Sequence, residues 1–131
     1  MGSRDLVRLL VLWRLAGEWW RAEALYLYFC GGLSPAEIER KMGIKRTVVT
    51  GIVRRAYEVY GKNYGVDRVV SRCFAHVSRL ETAFSSYCKL CGKSGFAKPM
   101  RHLALSHRKY VEQCVDVVVS SLRRVREDSV L

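Results

Sequence analysis

The sequence predicts an all-α fold carrying a small metal-stapled insert, and three observations lead there. Apolar residues recur at spacings of three and four along most of the chain. No alternating run is long enough for more than a two-stranded hairpin, around residues 87–96. Two cysteines and two histidines fall at metal-ligand spacing between positions 88 and 107. The chain has 131 residues and is 50% hydrophobic, enough for one domain or for two very small units sharing a core. It is too apolar for a disordered basic tail.

Leu6, Leu9, Leu10 and Trp13 mark a first helix over about 4–16. A second, about 18–30, carries Trp19, Trp20, Leu25, Tyr26, Leu27 and Phe29; it is apolar nearly all round and therefore expected to be buried. Gly31-Gly32 ends it. Ser34-Pro35-Ala36-Glu37 starts a third, with Ser as N-cap, Pro in the first helical position and Glu three residues after the cap. That helix stops near Met42-Gly43, and a fourth runs from about Lys45 to Tyr60. Val69, Val70, Cys73, Phe74, Val77, Leu80 and Phe84 make one stripe of a long amphipathic helix over 67–86. Val111, Cys114, Val115, Val118, Leu122 and Val125 repeat the pattern in a helix over 99–126. The expected units are a helix-turn-helix domain (1–62), a connecting helix (63–87), a zinc module (88–110) and a C-terminal helix for packing or dimerisation (111–131).

Charge is unevenly spread. The formal net charge is +11, from 23 Lys+Arg against 12 Asp+Glu. That favours a polyanionic partner, nucleic acid ahead of an anionic membrane surface, and disfavours a typical metabolic enzyme. Residues 34–62 hold seven basic and three acidic groups, and residues 88–110 hold six basic groups and no acid. Those two segments carry ten of the eleven net charges, which implies two contact modules on a near-neutral frame. The bland alternative is that the cations only solvate exposed faces.

The first basic segment has the spacing of a helix-turn-helix. A short capped helix buries Ile38 and Met42, Gly43 makes the turn, Ile44 plugs the angle, and the next helix buries Val48 or Val49 and Ile52. Lys45, Arg46, Thr47 and Thr50 are left at the outer end, where a recognition helix presents its first turns to the major groove. Over roughly residues 20–60 the chain resembles the helix-turn-helix of sigma-factor region four and of response-regulator DNA-binding domains. The resemblance implies that Lys45, Arg46, Thr47 and Thr50 face bases or phosphates, with Arg54 and Arg55 on the backbone further along. Gly51 departs from it, as a helix-weakening residue that either permits close approach or is merely tolerated.

The second basic segment contains Cys88-x2-Cys91-x10-His102-x4-His107. Two thiolates from a tight turn and two imidazoles from one helix make a tetrahedral set for Zn2+. Gly92 and Gly95 allow the turn, Phe96 plugs a tiny core, and Pro99 suits the first turn of the ligand helix. The segment resembles a shortened Cys2His2 zinc finger, with a Cys-to-His gap of ten in place of the family's twelve or so. The resemblance implies the ligands Cys88, Cys91, His102 and His107, but the shortening withholds the family's base-reading positions. Two thiolates neutralise a divalent ion, so Lys89, Lys93, Lys98, Arg101, Arg108 and Lys109 remain to attract phosphate. A purely structural staple and a protein-docking finger are the alternatives.

Five cysteines cannot form a complete set of internal disulfides. If the helices flanking the finger run antiparallel, Cys73 and Cys114 can face one another, as buried apolar thiols or as a disulfide of a heat-adapted protein. The apolar stripes suit a second subunit equally, which leaves a homodimer open, and Trp13, Trp19 and Trp20 fit either core or interface. Only one Asn (Asn63) and one Gln (Gln113), with sixteen Arg to seven Lys, point to a thermophile.

The leading expectation is a sequence-specific double-stranded DNA-binding protein, a transcription regulator that resembles the small regulators of archaea and of their viruses and plasmids. The alternative is a non-catalytic adaptor whose finger docks a protein or a structured RNA. No enzymatic activity or small-molecule substrate is expected, because four protein ligands leave zinc no open position and no nucleophile–base pair or phosphate loop stands out. The apolar run 6–15 is interrupted by Arg8 and Arg14 and is too short for a bilayer span. With no signal peptide visible, an intracellular, cytoplasmic location is expected, the host cytoplasm for a viral protein.

Overall fold

The computed structural model describes residues 2–130, with side chains through Arg123. Among these residues lie seven helices: α1 (Ser3–Leu15), α2 (Trp19–Phe29), α3 (Pro35–Met42), α4 (Arg46–Tyr60), α5 (Val66–Ser78), α6 (Pro99–Ser106) and α7 (Arg108–Val130). The fold is all-α. The hairpin expected around 87–96 is reduced to isolated bridges, Phe84 with Cys88 and Tyr87 with Ser94. No helix among the described residues is long and apolar enough to cross a membrane. Val125 of the expected tail stripe, and residues 1 and 131 of the outer units, lie outside the described side chains.

The hub is α1. Leu6, Val7, Leu9, Leu10, Val11, Trp13 and Leu15 point to almost every side of it, and all seven are buried. Such a helix is satisfied only by being surrounded, and α2, α4, α5, α6 and α7 all pack against it. This corrects the expectation for α2, which buries only Ala22, Ala24 and Leu25. Lying outside α1 and α5, it uses its rings as a cover: Trp19 and Tyr26 lie over Phe74 of α5, with centroids 4.9 and 4.5 Å apart. Trp13 belongs to the core, whereas Trp19 and Trp20 are half-buried at its margin.

Two further boundaries differ from expectation, the first because tertiary partners claim the backbone. The helix expected over 67–86 ends at Ser78. Beyond it, Arg14 donates from Nε to the Leu80 carbonyl at 2.7 Å, and the Ala83 amide donates to the Leu15 carbonyl at 2.8 Å. The chain is thereby drawn to the end of α1, and Phe84 still reaches the core from a non-helical segment. The helix expected over 99–126 is two helices meeting at His107, whose backbone (φ −125°, ψ 34°) is not helical.

From α7, Val111, Cys114, Val115 and Val118 complete a core that runs unbroken from Leu6 through Ile38 and Val49 to Cys88 and Leu103. The α3–α4 segment and the cysteine–histidine segment therefore share one interior. On the rim, Arg4 of α1 pairs with Glu112 and Asp116 of α7 at 2.8 Å each, while Arg8 pairs with Glu112 and Asp5. Arg8 first, then Arg4, hold the Glu112 carboxyl down at about 2.

Candidate metal centre and nucleic-acid interface

Cys88, Cys91, His102 and His107 converge, with all four ligand atoms within 4.8 Å of one another. Cys88 Sγ lies 3.5 Å from His107 Nε2, and Cys91 Sγ lies 3.4 Å from His102 Nε2. A sulfur–nitrogen edge of about 3.6 Å follows from tetrahedral zinc with ordinary Zn–S and Zn–N bonds. The donor set and its spacing therefore fit a divalent ion of zinc's kind, and these four residues lie close enough to hold one.

Local sequence builds the cradle. The Gly92 amide donates to the Cys88 carbonyl at 2.7 Å and the Cys88 amide to the Lys93 carbonyl at 2.8 Å, closing the turn that presents both sulfurs. Pro99 opens α6, which carries His102. The break at His107 lets a histidine five residues further on return to the same point, a spacing that an unbroken helix would rotate away. Phe96 stacks on the His102 ring at 3.8 Å, and Phe84 meets Phe96 edge-on at 5.7 Å. Desolvation, then the His107 imidazole and the Lys93 ammonium, push His102 below the usual histidine range, which favours the neutral ring that binds a metal.

In the other basic segment, α3 and α4 meet at a short turn. Ser34 Oγ accepts from the Glu37 amide and Glu37 Oε1 from the Ser34 amide, both at 3.2 Å, so α3 opens on a complete capping box. Gly43 closes α3 at φ 74°, a left-handed conformation suited to glycine. Ile38 is buried and Met42 and Ile44 are half-buried; on α4, Val49, Ile52, Val53 and Ala56 face inward, and Val48 does not. Gly51 faces open space, with nothing within 4 Å of a Cβ built there.

All twelve residues singled out for contact are exposed: Lys45, Arg46, Thr47, Thr50, Arg54 and Arg55 on the first module, and Lys89, Lys93, Lys98, Arg101, Arg108 and Lys109 on the second. Three of the six on the first module also have internal partners. Glu39 accepts the Arg46 backbone amide at 2.7 Å and its guanidinium at 3.0 Å, capping α4 in place of Lys45, whose side chain makes no cap. Arg55 lies 3.6 Å from Glu58, and the Thr50 hydroxyl donates to the Arg46 carbonyl at 2.9 Å. The sequence reading missed Glu39 because no local pattern joins it to a residue seven positions on. It missed the Phe84 ring near His102 for the same reason.

Cys30, Cys73 and Cys114 are free thiols. Burial pushes Cys73 up to about 12 and raises Cys114, so both are apolar fillers of the core. Set against protein-family models, curated proteins and solved structures, the chain matches none of them.

Proposed function

We propose that this chain is a sequence-specific double-stranded DNA-binding protein, a transcription regulator that reads the major groove with α4 while a zinc-stapled basic module supports it. One observation carries the reading. The inward face of α4 is wholly apolar, and its outward face presents Lys45, Arg46, Thr47, Thr50 and Arg54 beyond a left-handed Gly43 turn. Arg can fork onto guanine and Thr can meet a thymine methyl or a phosphate. Zn2+ on Cys88, Cys91, His102 and His107 would have its tetrahedron filled by protein, which suits a structural ion and leaves no position for an activated water.

Selection from random duplex DNA at moderate salt, read by sequencing, tests the proposal. An enriched motif that Arg46→Ala/Thr47→Ala shifts or abolishes supports it; absence of enrichment refutes it. Exposed Leu90 and Leu105 on the zinc module favour a second reading, an adaptor that docks a protein or structured RNA. Under that reading the same double variant leaves nucleic-acid binding nearly unchanged.

A further inference from the structure

Two neighbouring surface hollows share the same floor. One is lined by Asp5, Arg8 and Leu12 of α1 with Arg55 and Val59 of α4. The other is lined by those same three residues with Ala104 of α6 and Arg108, Val111 and Glu112 of α7. They form a single trough along the outer stripe of α1, with α4 as one wall and the α6–α7 junction as the other. Among the described residues the walls do not pack on each other; each packs on α1. The two basic modules thus flank one trough, with Arg55 and Arg108 on opposite rims.

We infer that one protomer grips one duplex with both modules at once: α4 in a major groove and the zinc module on the phosphates bordering the adjacent minor groove. The inference rests on the DNA-binding reading above and adds the placement of the second module. Packed helices lie 8–10 Å apart, so two that flank a third stand at most roughly 16–20 Å apart. Half a turn of B-DNA, the step from one groove to the next, is about 17 Å. The backbone strand between the grooves would then run along the mouth of the trough. The floor does not draw it in, because Arg8 holds Asp5 and Glu112 and Arg4 holds Glu112. Phosphates meet the rims at Arg55 and Arg108, and Arg54, Lys98, Arg101 and Lys109 are further exposed cations of the same two modules.

Hydroxyl-radical footprinting on a selected duplex of about three helical turns tests this, comparing the zinc-loaded wild type with Lys98→Ala/Arg101→Ala/Lys109→Ala. Cobalt absorption confirms that the variant keeps its ligand set. The wild type is expected to protect two patches about half a turn apart, roughly five base pairs, at one protomer per duplex. The variant should lose the flanking patch alone, and its log–log salt slope should fall by about 3. A variant that keeps both patches and the slope overturns the inference while the DNA-binding reading stands. So do patches a full turn apart with two protomers bound, which would mark a dimer. A wild type that protects nothing overturns the DNA-binding reading itself.

Discussion

Gly51 stands in the outward face of α4, in a helical backbone and with empty space where a side chain would go. Nothing inside the molecule requires glycine there, and glycine weakens a helix interior by roughly 0.5–1 kcal/mol relative to alanine. Gly51→Ala is therefore expected to raise stability by about that amount in urea denaturation. If α4 lies against a duplex, the same change weakens binding, because the added methyl meets the partner. A variant that is both stabilised and fully active in binding would count against close approach at this position. At this scale the sequence is legible wherever a signal is local. The Ser34–Glu37 box spans four residues and the ligands fall at recognisable intervals. The clamp of Glu39 on Arg46 depends on how two helices cross, and no short-range pattern records that.

Among elements, the join between α1 and α7 is the one most open to acid. Glu112 has an ordinary value of 4.5 and a folded value of about 2, with Arg8 and Arg4 as the cause. A depressed carboxyl contributes stability that is fully present above pH 4.5 and is lost as pH falls through about 2. Glu112→Gln should lower stability at neutral pH and flatten this acid limb, measured as urea midpoints against pH. A variant profile parallel to the wild type below pH 4.5 would show that the pair contributes nothing.

The cysteine–histidine segment, with the zinc ion proposed for it, is the second such element. Stripping metal with a chelator is expected to unfold the turn at Cys88–Cys91 and loosen α6, lowering helical circular dichroism and melting temperature, with recovery on adding Zn2+. Unchanged melting after complete removal would refute a structural ion. Element boundaries were legible only in part. The 67–86 stripe is truly apolar, but Leu15 and Arg14 take over the backbone beyond Ser78. The composition of α2 suggests deeper burial than α1, yet depth is decided by which helix the others surround.

For the whole molecule, one interior means one folding unit. Leu10 is fully buried in the hub, and Leu10→Ala should cost about 2–5 kcal/mol. The loss should appear at the same denaturant midpoint in tryptophan fluorescence, which reports the Trp13 side, and in cobalt absorption, which reports Cys88 and its partners. Separate midpoints would show two independent units. All-α architecture was legible from periodicity, but the sharing of a core was not, since it depends on contacts between distant parts of the chain.

Arg4 meets Glu112 across 108 positions, so α1 is secured by α7. During synthesis α1 emerges with apolar side chains on nearly every side long before α7 exists to cover it. Until then the nascent chain displays a sticky rod that cannot be hidden locally, so its yield in cells is expected to depend on chaperone supply and elongation rate more than its small size suggests.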